Sequence, residues 1–568
     1  MTARNLLVLL VATTTAGSAQ SQNLNDYRID FSKVAIRNDD TMDHVAQLKT
    51  KLEALRGKLS RSADDLLTAL QTRDEVLAIL DRRHFISHLH YLLDTKFPPN
   101  ADSNEPDQEE YGGFIDSEIA AIPDAQLARF TAEKPGLAKY AYVIAQVKRD
   151  KLHRLSDKEE ASLSKLNPDY QQWESRAFET LQSDLPTGEV SRSLHATALI
   201  QLSESLNAEA KLRGFKDSVD RYCFDINLET SKVDSLVANL RRNGHLLDEL
   251  SKLRKAHLSQ EPKVPPHFTL QEATQKVVQA LAPLGPEYGA EMSALLDPEN
   301  GRLDAAGGPN RSGLGTGWSA PGMTSILYWP NFTGVYDDLD RGLSHEGGHA
   351  IHYELMVKNG VPEAYYAGPG YLYESYAELN QLLLADYFYK NESDPQKKLF
   401  YLLQLLDKAE YPLYLAQYPD EEYAFHRAVA AGKIHDAAGL DRLENSVLSR
   451  WPGVSRRPGS PRWMTNERFY SVPLYTINHL LGSILAIAYF VQLEKDPSGF
   501  VPKYIGLLSQ GFHDSPETLL KASLDIDLND PALVTECMEF LRERTVELKR
   551  LYKQVGERAP LLQSRSKP

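Results

Sequence analysis

The chain has 568 residues, 42% of them hydrophobic and 25% charged, the profile of a globular protein with more than one lobe. Its formal net charge is −15 at pH 7, and no Lys/Arg-rich block or Arg-aromatic stripe interrupts that acidity, which argues against nucleic acid or anionic membranes as partners. Cys223 and Cys537 are the only cysteines, so a thiolate metal site is excluded and two free buried thiols are expected.

At the N-terminus, Arg4 precedes the apolar run Leu6 to Ala12, and Gly17-Ser18-Ala19 offers small residues at a cleavage site. This reads as a signal peptide over residues 1–19, which predicts an exported protein, periplasmic or secreted. Apolar residues then recur at three- and four-residue steps over Leu48 to Leu80, Leu137 to Val147, Leu194 to Leu212 and Leu236 to Leu253, the period of amphipathic helices. The spacing predicts an N-terminal helical region over 20–200 and a mainly helical catalytic region over 201–568. The best strand candidate is Thr324 to Trp329, stopped by Pro330. Late in the chain, Leu480 to Val491 is the longest apolar run, too short to span a bilayer.

Residues 345–354 read HEGGHAIHYE. On a helix His345 and His349 lie about 40° apart around the axis and about 6 Å along it. His352 shares that face but sits about 10.5 Å from His345 along the axis. Three imidazoles so spread cannot hold one ion at roughly 2.0–2.1 Å, leaving His345 with His349, or His349 with His352. Glu346 selects the first pair, because it follows His345 as the general base does in H-E-x-x-H. Glu354, about 180° away, is expected on a solvated face. Gly347 and Gly348 each weaken a helix by roughly 1 kcal/mol relative to Ala. Lacking a Cβ, either can admit a second helix or a substrate backbone close to the metal helix.

The motif alone has a chance probability of roughly 3% in such a chain, so a third ligand is needed to support it. Gly368-Pro369-Gly370 breaks the chain, and helical periodicity resumes with Glu374 and Glu378 at i, i+4 spacing. Glu374 is placed to complete a His2Glu site with a fourth position for water. Glu378, one turn on, is placed to hydrogen-bond a ligand histidine.

These residues resemble the zinc metallopeptidases that include thimet oligopeptidase and oligoendopeptidase F. The resemblance starts at Arg311-Ser312-Gly313, takes Thr324 to Trp329 as the substrate-binding edge strand, and includes the Asn331-Phe332-Thr333-Gly334 turn and the motif glycine Gly348. It continues through YAFHRAVAAGKIHDAAGLDRL and the C-terminal helices, covering about residues 305 to 555. The N-terminal third is similar only in being helical. The resemblance implies a mainly α, multi-helical zincin (gluzincin-type) fold with a deep substrate channel and a small edge β-sheet. It implies one Zn2+ per chain on His345, His349 and Glu374, with Glu346 as general base and His352 outside the ligand set. The implied partners are short peptide substrates. Where the family presents tyrosine or histidine donors to the oxyanion, this chain reads RFYSVPLYTINHLLGSILA. His479 stands in the place of a key tyrosine there, with Tyr475 and Tyr470 one and two turns earlier. The expectation is Tyr475 or His479 as donor and Tyr470 with Gly348 at the substrate. An exported carboxydipeptidase, similar to angiotensin-converting enzyme, and a non-cleaving peptide-binding relative are the alternative readings.

Overall fold

The structure, a computed structural model, describes residues 24–34, 40–97, 108–156, 158–160, 162–163, 188–262, 264–452 and 461–565. The expected signal peptide lies outside them. The periodic stretch Leu48 to Leu80 divides into two helices, Met42–Glu53 and α1 (Ala63–Leu93). Gly57, with φ +74°, turns the chain between them, and the Ser62 hydroxyl accepts the Asp65 N–H to start α1. Val45, Leu48, Leu66 and Leu70 pack with Ile115, Phe130 and Leu137 in a separate N-terminal core.

The boundary expected at residue 200 falls within α2 (Glu189–Leu212). Its Leu199 and Ile200 pack with Phe425, Trp463 and Phe469, so this helix is built into the C-terminal half. Three helices form the centre of that half: α3 (Gly347–Lys358), α4 (Gly370–Asn391) and α5 (Thr476–Lys495). A π-helical segment, Asp338–Glu346, leads directly into α3. Its first turn is anchored by Asp338, whose Oδ2 accepts the N–H groups of Thr333, Gly334 and Val335. Helix α5 is long and apolar enough to cross a membrane, with 83% of its apolar window buried inside the protein. Leu480 to Val491 therefore belongs to a longer apolar element than the run suggests, and that element is a core helix. It meets α4 closely because a Cβ on Gly482 would stand 2.7 Å from Glu374 Cβ. Cys223 and Cys537 are free and buried, as expected.

Three short strands, β1 (Leu303–Asp304), β2 (Thr316–Trp318) and β3 (Ile326–Tyr328), lie in the order β1-β3-β2. The expected edge strand is thus the central one. Ile326, Leu327 and Tyr328 are all buried, because β1 covers one side and β2 pairs antiparallel on the other. Helix α1 covers this sheet through Phe85, Leu89 and Leu92, which pack with Ile326 and Tyr328.

A carboxyl pair also joins α1 to the C-terminal half: Glu363 lies beside Asp81, and burial followed by the Asp81 charge pushes Glu363 up to about 9. An unfolded glutamate releases its proton near 4.5, so the folded chain binds more protons between these values. Stability contributed by this group is present below about pH 4.5 and is lost as pH rises through about 9. Burial pushes Glu421 and Glu422 up to about 8, with the same sign. The melting temperature is expected to fall across this window, and Glu363→Gln, neutral at every pH, to flatten the fall. Parallel melting curves for the two proteins at all pH values would refute the assignment.

Candidate metal centre

The π-to-α junction falls between Glu346 and Gly347, so His345 and His349 straddle it. A π segment here is a local widening of the kind found at functional sites. The helical pairing survives it: the two imidazoles stand 4.9 Å apart, centre to centre, at 88°. Helix α4 brings Glu374 to them, and one ligand atom from each of the three residues lies within 4.8 Å of the others. The close approach depends on Gly348, where a Cβ would stand 2.9 Å from Ala377 Cα and from Asn380 Nδ2. Gly348 is therefore a helix-packing residue against α4, and the expected substrate contact is corrected.

Glu374 is held from three sides. Tyr475 donates its hydroxyl to Oε1 at 3.1 Å. Oε2 faces His345 Nε2 at 3.4 Å and His479 Nδ1 at 3.3 Å. Although buried, Oε2 has no hydrogen bond of normal geometry among the described residues. Burial works against the Glu374 charge, but His479 and the His345 contact outweigh it and hold the carboxyl well below its usual range. Burial likewise opposes a charge on His345, and the Glu374 contact overturns that, raising it to about 9. His349 is pushed down to about 4 by burial and by His345. A neutral imidazole, an anionic carboxylate with an unsatisfied oxygen, and an imidazole paired to it form a donor set that a divalent cation fits.

The outer contacts differ from expectation. His345 Nδ1 lies 3.3 Å from Gln381 Oε1, an acceptor that keeps a proton on Nδ1, so that Nε2, facing Glu374, is the nitrogen that would be freed to bind a metal. Gln381 in turn donates to Asp340 Oδ2 at 2.9 Å, which also accepts from Lys408 at 2.8 Å. The orienting partner of His345 is thus Gln381, two turns from Glu374, while Glu378 is a fully buried acid pushed well above its usual range by burial and by Glu374. No short motif marks Gln381; its i+7 spacing from Glu374 is the sole signal.

Glu346 is half-buried, and its Oε2 accepts the Gly317 N–H at 3.2 Å. Burial first, and then the Glu374 charge, push it up to about 7 despite His345 and the Gly317 bond. That value suits a base working near neutrality. Gly317 belongs to β2, so β2 is the strand beside the metal helix. It was not found from sequence, because three residues show no alternation.

His352 lies in the core among Tyr353, Tyr373, Tyr376 and Phe512, and burial pushes it down to about 3. Glu354 is corrected: it is buried, and its Oε2 accepts from Arg302 Nη2 and Ser325 N, each at 2.9 Å, which fastens α3 to the sheet. Tyr470 is also corrected. It is 1% exposed and donates to the Trp463 carbonyl at 2.8 Å, since the chain between it and Tyr475 breaks at Val472 to Leu474, with φ +66° at Leu474. Tyr475 and His479 do reach the centre, both directed at Glu374.

A family model for oligopeptidase F matches residues 118–186. Oligopeptidase PepF of Bacillus subtilis is 21% identical over 90% of this chain and 85% of its own. The oligoendopeptidase F homolog of Borreliella burgdorferi is 22% identical over 74% and 79%. The crystal structure of oligoendopeptidase-F from Enterococcus faecium superposes with TM-score 0.64 and 19% identity, covering 91% of this chain and 99% of that one. The similarity reaches into the N-terminal third, which shares more with these proteins than helicity.

Proposed function

We propose that this chain, a relative of the oligopeptidase F metallopeptidases, hydrolyses peptide bonds in short peptides with one zinc ion held by His345, His349 and Glu374. The observation that carries this reading is the convergence of those three ligand atoms within 4.8 Å, with Glu346 on the same helical turn. Two imidazoles, one carboxylate and an open position suit catalytic zinc.

When bound there, the metal would polarise the scissile carbonyl and acidify water. Glu346 takes the proton of the attacking water and passes it to the leaving amine. The Gly317 N–H keeps the Glu346 carboxylate beside the edge strand. β2 is the outer strand of the sheet, so an extended peptide would add along it as a further strand, with the Gly317 N–H already given to Glu346. Tyr475 and His479 hold Glu374 in place, so their contribution runs first through the ligand carboxylate. Export from the cell remains part of the proposal through the N-terminal leader pattern.

The test uses quenched peptides of graded length, with product mapping by mass spectrometry. Internal cleavage that stops on chelation and returns with zinc is the expected result. Release of dipeptides from free C-termini alone would favour the carboxydipeptidase reading, and zinc binding without any cleavage would favour the non-cleaving one.

A further inference from the structure

Edge strand β2 stands between two helices of different origin. On one side Gly317 is pressed on the metal helix, where a Cβ would lie 1.7 Å from the Glu346 carbonyl oxygen. Successive strand residues face opposite ways, and Trp318 points the other way, toward α1. There the Trp318 ring meets His84 at 5.5 Å, Phe85 at 5.0 Å and His88 at 5.6 Å, each edge-on. His88 continues to Tyr91 at 6.2 Å. His84, His88 and Tyr91 recur at i, i+4 and i+7, which makes one stripe along α1. These three and Trp318 are half-buried, whereas Phe85 beside them is fully buried.

We infer that His84, His88 and Tyr91 of the N-terminal helix form, with Trp318, a subsite for an aromatic side chain of the bound peptide. A peptide lying along the outer edge of β2 alternates as the strand does, so every second side chain meets this stripe while the others face the metal helix. These rings pack on one another, and each keeps part of its surface uncovered, on which an aromatic side chain would lie edge-on or offset. Burial, and then His84, depress the His88 imidazole, which favours its neutral form. The N-terminal region thereby takes part in selecting the substrate.

This inference rests on the peptidase reading, and the experiment separates the two. Full-length, zinc-loaded protein is assayed on peptides carrying Phe, Ala or Asp at one position at a time. In parallel, Glu346→Gln protein is titrated with the same peptides uncleaved. A preference for Phe of about tenfold is expected at one position. His88→Ala and Tyr91→Ala are each expected to shrink it to about twofold there, with preferences elsewhere intact. Melting curves check that both variants fold. Equal losses across all peptides, or an unchanged Phe preference in both variants, overturn the subsite. If the parent cleaves nothing, the peptidase reading fails, and the titration still decides the subsite: a Phe-over-Ala affinity difference abolished by His88→Ala supports it, and its absence overturns it.

Discussion

Glu346→Gln is expected to lower peptide turnover by about 10²- to 10⁴-fold, with zinc content and melting temperature close to the parent's. The substitution keeps shape and length, and the amide oxygen can still accept the Gly317 N–H that reaches Glu346 Oε2 at 3.2 Å. What it removes is a group able to take and return a proton. Burial and Glu374 place that group at about 7, where its proton is exchanged with little bias. The three candidate ligand side chains come from His345, His349 and Glu374, none of which depends on the Glu346 carboxylate for its position. Turnover on a quenched peptide, metal analysis and a melting curve decide the matter. Activity within tenfold of the parent would remove Glu346 from the chemistry, and loss of zinc in step with activity would make its role structural.

Gly317→Ala is expected to reduce kcat/KM by about 10²-fold or more, since displacements of about 1 Å at a reacting centre have that effect. The new Cβ would stand 1.7 Å from the Glu346 carbonyl oxygen, 2.7 Å from its carbon and 3.0 Å from the Ala350 nitrogen. All three are backbone atoms of the metal helix, so no rotamer change relieves the overlap and β2 must lift away. Lifting β2 lengthens the bond to Glu346 and shifts the edge along which a peptide would lie. Overpacking of this kind costs about 1–3 kcal/mol of stability, a readable drop in melting temperature. Metal content should be unchanged, because the candidate ligands stand on the π-helical segment, α3 and α4, and none on β2. Gly313→Ala is the control on the same segment, as nothing among the described residues lies within 4 Å of its added Cβ. Equal kinetics for the two variants would show that β2 has no part in catalysis.

What is legible in the chain and what is not divides by range of interaction. His345, Glu346 and His349 were legible because one helical turn sets their spacing, and that local period holds even across the π-to-α junction. Glu374 was legible through the motif resemblance and through the break at Gly368-Pro369-Gly370. The helical class followed from the repeated three- and four-residue steps. Glu354 was misread as solvated because a helical wheel shows a face and not what packs on it; Arg302 and Ser325 arrive from the sheet, 52 and 29 residues away. Thr324 to Trp329 looked like the edge because its composition marks a strand, but strand order depends on which neighbours pair with it. Tyr470 fell out of the site because one residue at φ +66°, Leu474, interrupts the helix on which its turns were counted.

By itself, then, the sequence determined the helix that carries His345, Glu346 and His349 and the helical character of the chain, since these rest on periodicities a few residues long. Only the tertiary structure decided which strand borders the site, that Gln381 orients His345, that Tyr475 and His479 hold Glu374, and that α1 brings His84 and His88 to Trp318. Each of those depends on packing between segments tens to hundreds of residues apart, where burial and close backbone approach select the partner and no local spacing records it.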